Sequence, residues 1–108
     1  MGFREIGQNR ALVTWELPAD DLRPYQLTKY RPLSVVVEGE FNGGQVHIVG
    51  TNDPGEDPKF FTLNDPQGNP LSFFKGKIEQ ILEDCVQIKP YAIGNVKVKV
   101  YLLLAIAR

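Results

Sequence analysis

Ser34-Val-Val-Val-Glu-Gly-Glu-Phe-Asn-Gly-Gly-Gln-Val-His-Ile-Val-Gly-Thr-Asn-Asp53 is the run whose reading decides the fold. Two β-rich segments, Leu33 to Glu38 and Gln45 to Gly50, flank Asn42-Gly43-Gly44, a turn whose residues take positive φ at low cost. The expected arrangement is a central hairpin. In its second strand Val46 and Ile48 share one side, and Gln45, His47 and Val49 the other. A loop rich in proline and acid follows, Asn52 to Pro58. Then come a short aromatic strand, Phe60 to Leu63, and the turn Asn64-Asp-Pro-Gln-Gly68. Leu71-Ser-Phe-Phe74 is a further short strand.

Upstream, Ala11 to Leu17 alternates, with Ala11, Val13, Trp15 and Leu17 on one face, and reads as a strand. Residues 1–10 read as an arm or a weakly held edge. Pro18 to Pro32 carries three prolines and no clean period, so it is expected to be an extended surface loop. Downstream, Ile78, Ile81 and Leu82 fall at i, i+3 and i+4, with Glu79 and Glu83 on the wet side. That spacing predicts a short helical segment over Lys77–Glu83. Cys85 to Pro90 alternates as a strand that stops at its proline, and 91–95 reads as a turn. In the last strand Val96, Val98, Val100, Leu102 and Leu104 face the core. Lys97 and Lys99 face water, but Tyr101, Leu103 and Ala105 follow on that same outward side. An outward face that turns apolar asks for a cover, either the chain's own N-terminal segment or a second subunit, and of the two a subunit contact is preferred.

These segments add up to an all-β chain, an antiparallel β-sandwich or jelly roll with one short helical segment and an extended N-terminal arm. The division expected is 1–32 for the arm and loop, including a short strand 11–17, and 33–108 for the sandwich. The 108 residues suffice for one core without staples. A net charge of −1 offers no field to draw in nucleic acid or an anionic membrane surface. The longest apolar run, Val100 to Ala107, is too short to span a bilayer, and no targeting segment is visible at Met1–Glu5. Ile6 stands where an N-myristoylation signal needs Ser or Thr. The single Cys85 excludes an internal disulfide.

No set of residues converges on catalysis or on a cofactor. His47 is the only histidine and reads as a strand residue. Ser34 and Ser72 lack a nucleophile setting, and Cys85 is a small residue of a strand. Glu38 and Glu40 share a strand face away from any visible pocket, unlike a glycosidase pair. Asn52 to Asp57 clusters oxygens as calcium sites do, yet without EF-hand spacing it reads as a solvated turn.

Val37 to Asp53, then Phe61-Thr-Leu-Asn-Asp-Pro-Gln-Gly-Asn-Pro-Leu-Ser-Phe73, Lys77 to Glu83, Val86 to Pro90, Gly94 and a terminal apolar strand ending in Ala107-Arg108 form a pattern. It resembles small head proteins of tailed bacteriophages, in particular the capsid decoration (cement or staple) proteins of short-tailed phages of the epsilon15 type. The resemblance covers Ser34 to Arg108. It implies a non-catalytic virion protein, often dimeric, assembled in the host cytoplasm and seated on the outer capsid surface. There it would bridge major capsid protein subunits and resist internal pressure. A clamp of 1–31 ordered on binding would suit that role. The expected partner-binding residues are Phe3, Ile6, Trp15, Tyr25, Tyr30, Tyr101 and Leu103. The alternatives are a carbohydrate-binding jelly roll, using Asn52–Asp57 with Phe60 or His47 as platform, or another small phage head or tail β-sandwich protein. In the jelly-roll reading Pro54-Gly55 and Phe60 replace the Gly and Trp that usually follow the Asn-Asp turn.

Overall fold

The computed structural model describes residues 1–20 and 23–106. Among them ten strands form: β1 Gly2–Gly7, β2 Arg10–Leu17, β3 Tyr25–Gln26, β4 Tyr30–Glu40, β5 Gln45–Thr51, β6 Phe61–Thr62, β7 Ser72–Phe73, β8 Lys77–Gln80, β9 Gln87–Ile93 and β10 Lys97–Ile106. They build two antiparallel sheets, ordered β1-β2-β10-β4-β8 and β3-β9-β5-β6, with β7 also pairing β5. The chain is an all-β sandwich. Residues 21 and 22 of the Pro18–Pro32 loop, and Ala107 and Arg108 at the end of the terminal strand, lie outside the described residues.

The first sheet is centred on β10, which pairs with β2 on one side and β4 on the other. Its strict alternation buries Val98, Val100, Leu102 and Leu104 against the facing sheet. From β2 come Ala11, Val13, Trp15 and Leu17, all buried as expected. The second sheet supplies Val46, Ile48, Phe73 and Ile88, and Phe41, Leu63 and Leu71 close the same core.

Four expectations are corrected. Residues 1–17 are no arm: β1 pairs with β2 through Phe3↔Val13 and Arg4↔Leu12, and β2 lies beside the central strand. The sandwich therefore begins at Gly2, not at residue 33. The turn that joins β1 to β2 is Gln8-Asn9, both at positive φ (53° and 61°), the geometry a two-residue hairpin requires.

The Asn42-Gly43 turn does not make a hairpin. β4 belongs to the first sheet and β5 to the second, so the turn is a corner between layers. Its local chemistry is that of a hairpin, with Asn42 and Gly43 at φ 51° and 78° and the Gly44 amide donating to the Phe41 carbonyl at 2.7 Å. What separates the strands lies on either side. Phe41 drops into the core, and Gly39 bends the chain at φ 132°. The link from β9 to β10 crosses between the sheets alongside it. The two corners meet where the Asn42 side-chain amide donates to the Asn95 carbonyl at 2.8 Å.

The helix expected over Lys77–Glu83 is a strand instead. β8 pairs with β4 from Ser34↔Gln80 to Val37↔Lys77. Ile81 is buried while Ile78 and Leu82 are exposed, so the apolar stripe is not one face at all. An unpaired edge of β4 outweighed a two-turn helical spacing. Last, β9 does not stop at Pro90 but runs on to Ile93, opposite Gln45 to Thr51. β3 covers its other side only at Gln87 and Ile88, so beyond them β9 is an edge and the missing proline N–H leaves no carbonyl unpaired.

Candidate functional site

The expected partner-binding residues fall into two groups. Phe3, Trp15, Tyr25 and Tyr30 point between the sheets. Trp15 is 1% exposed and its indole N–H donates to the Arg23 carbonyl at 2.6 Å, so it is a core residue and not a docking one. Tyr30 is buried as well, and its hydroxyl donates to Glu5 Oε2 at 2.9 Å. Burial, then the neighbouring Glu5 carboxylate, raise its phenol above the usual range. Phe3 stacks on Tyr25 and tilts against Tyr30, with centroids 5.8 and 5.6 Å away. These rings close the open side of the sandwich between β1 and β3. Trp15 and Tyr30 are sealed within the core, whereas Phe3 stays 46% exposed at its edge.

Tyr101 and Leu103 face the other way, onto the outer surface of the first sheet, and Ile6 is exposed at the bulge between Glu5 and Gly7 on its edge. Cross-strand register sets that surface. One row runs Ile78, Val36, Tyr101, Thr14 and the next Gln80, Ser34, Leu103, Leu12, Arg4. Ile6 and Ile78 are exposed, and Leu12, Val36, Tyr101 and Leu103 are half-buried. Together they make a diagonal apolar strip across all five strands. Tyr101 stands between two shallow depressions of about 280 and 420 Å³, one lined by Arg4, Leu12 and Thr14, the other by Glu16, Glu38 and Lys99. Lys99 lies opposite Glu16 on one side and Glu38 on the other, so charge of both signs borders the strip. No part of the described chain folds over this face.

The outer face of the second sheet has a different texture. Lys89, Val49 and Thr62 form one row, and Tyr91, His47 and Ser72 the next. His47 Nδ1 and the Ser72 hydroxyl are 3.0 Å apart, which holds the imidazole in place. Lys89 Nζ sits 4.5 Å above the Phe60 ring, and a groove of about 340 Å³ runs between Phe60 and Tyr91. Tyr91 escapes a sequence reading that ends the strand at Pro90. Alternation carried through Lys89, Tyr91 and Ile93 is the signal that finds it.

The acidic loop is occupied with its own folding. Asp53 Oδ1 accepts the Gly55 amide at 2.8 Å, and buried Gln87 donates through Nε2 to the Asp53 carbonyl at 2.8 Å. Across the adjoining depression Glu83 accepts the Asn64 amide at 2.6 Å. Among the described residues no three His, Cys, Asp or Glu are grouped to hold a metal ion. Cys85 lines that depression, its thiol pushed up to about 11 by burial and by the charges of Asp84 and Glu83. It is held as a thiol, the unreactive form.

Comparison with known protein families, with curated proteins and with solved structures finds no match to this chain.

Proposed function

We propose that this chain is a non-catalytic structural protein of a tailed-phage virion. In this reading it decorates the capsid, lying on the major capsid protein through the outer face of its first sheet. The observation that carries the proposal is the apolar strip Ile6, Leu12, Leu103, Tyr101, Val36 and Ile78 on a rigid five-stranded sheet. Contiguous exposed apolar surface with a polar border is the usual mark of a protein-binding face. Five strands spaced ~4.8 Å apart over about six residues of ~3.3 Å present roughly 500 Å². That makes an interface of about 1,000 Å² in total, the lower bound for a specific contact. A single copy would hold weakly, and many copies on a shell would reinforce one another.

The resemblance of Ser34 to Arg108 to decoration proteins names the capsid as the occupant. With Trp15 and Tyr30 buried, this reading takes the outer face of the first sheet, to which the N-terminal segment contributes Leu12, as the contact. A second copy of the chain bridging neighbouring capsid subunits belongs to the same proposal.

The test is co-sedimentation of purified protein with undecorated heads. Saturable binding in a fixed ratio to the major capsid protein is expected. Intact heads that take up no protein contradict the proposal.

A further inference from the structure

The two outer faces of the sandwich point in opposite directions, and the second is not spare surface. We propose that the groove between Phe60 and Tyr91 is a glycan-binding site, selective for acidic sugars. The inference is independent of the capsid reading, because it rests on a different sheet.

Its floor is Val49. This residue points outward from β5, shares a cross-strand row with Lys89 and Thr62, and is only 6% exposed. The walls are aromatic, Phe60 at one side and Tyr91, 46% exposed, at the other. Thr62, Lys89 and Tyr91 bring a hydroxyl, an ammonium and a phenol to the same groove. The groove is partly open to solvent, which suits a ligand that keeps part of its surface in water. A pyranose ring has that character: its C–H faces lie against aromatic rings while its hydroxyls radiate toward donors and acceptors at the rim.

Charge decides the class of sugar. Lys89 supplies the only charged group lining the groove, and among the described residues no carboxylate lies within ion-pairing distance of it. Its ammonium is held over Phe60 by the ring's negative face, so it is already oriented when a ligand arrives. A carboxylate on a uronic or sialic acid unit would complete that charge, with a hydrogen bond stronger than a neutral one.

The test uses ¹⁵N-labelled full-length protein titrated with trigalacturonate, sialyllactose and, as the neutral probe, maltotriose. Saturable shifts confined to Val49, Phe60, Thr62, Lys89 and Tyr91 are expected, with at least one acidic probe tighter than maltotriose. Tyr91→Ala is expected to weaken binding about tenfold, the size of one aromatic contact. Lys89→Met should bring the acidic probes to the affinity of maltotriose. Both side chains are on the outer face, and unchanged thermal melting of the variants establishes that they fold. The proposal is overturned by any of three results. These are no saturation by any probe up to about 10 mM, far weaker than useful recognition, shifts centred elsewhere, or an acidic preference that survives Lys89→Met. Loss of head binding in Tyr91→Ala, with no glycan bound by the wild type, would assign the face to a protein partner instead.

Discussion

The ring of Phe3 lies flat on the ring of Tyr25, centroids 5.8 Å apart and planes 6° from parallel. One ring comes from the edge strand of the first sheet and the other from the edge strand of the second, so the stack clasps the side of the sandwich. The residues therefore act as a pair. Phe3→Ala and Tyr25→Ala each lower stability, and the double variant loses less than the sum. A coupling of about 0.5–1.5 kcal/mol is expected from a double-mutant cycle in urea. Additive losses would mean that the stack contributes nothing beyond area.

The first seventeen residues are part of the folding unit. Trp15→Ala empties a fully buried site and should cost about 3–5 kcal/mol. Removing 1–17 takes out Ala11, Val13, Trp15 and Leu17 and bares one side of β10. That truncation is expected to lose its cooperative thermal transition and near-ultraviolet dichroism. A truncated chain that melts as sharply as the full one would return this segment to the status of an arm.

Gly39 is a second fixed point. At φ 132° a side chain is strained, and a Cβ there would stand 2.5 Å from the Lys97 carbonyl oxygen and 2.8 Å from Val98 Cα. Gly39→Ala meets both backbone strain and backbone contact, and a loss of at least about 2 kcal/mol is expected by chemical denaturation. Gly68, also at positive φ but in open space, is the control. Its alanine variant carries the strain without the clash and should lose less.

Cys85 contributes to stability on the alkaline side. Its folded value of about 11 lies above the 9.0 of a free thiol, so folding favours the protonated form. That contribution is whole below pH 9 and is lost as pH rises through about 11. Iodoacetamide at pH 8 should label native protein roughly a hundredfold more slowly than unfolded protein, following the thiolate fraction. Cys85→Ser should flatten the fall in stability between those values. Equal labelling of native and unfolded chains would contradict the burial.

Much of this fold is legible in local pattern. The alternation of Ala11–Leu17 and Val96–Leu104 names the central strands and their buried faces, and it places Tyr101 and Leu103 outward. What local pattern does not carry is pairing. Asn42-Gly43 has the same φ values in a hairpin as in a corner. Only the descent of Phe41 into the core and the tight pass of Gly39 against β10 send β5 to the other sheet. Ile78, Ile81 and Leu82 satisfy a helical spacing that the open edge of β4 overrides. Pro90 looks like a strand end until β3 is seen to stop short of it. Aromatic residues are ambiguous for a physical reason: Trp15 and Tyr30 have the same chemistry whether they seal a core or grip a partner. Tyr101 and Leu103 are placed outward by the sheet, whereas Lys89 and Tyr91 become a site only once β9 is paired with β5.

In the proposed function the outer face of the first sheet lies on the capsid and the outer face of the second does not. The most direct measurement compares Leu103→Asp, on the outer face of the first sheet, with Tyr91→Ala, on the outer face of the second. Both would be titrated onto undecorated heads in parallel with the wild type. Leu103→Asp should bind at least about tenfold more weakly, as a charge placed in the centre of an interface does. Tyr91→Ala should bind as the wild type does. A folded Leu103→Asp protein that decorates heads with undiminished affinity would contradict the account.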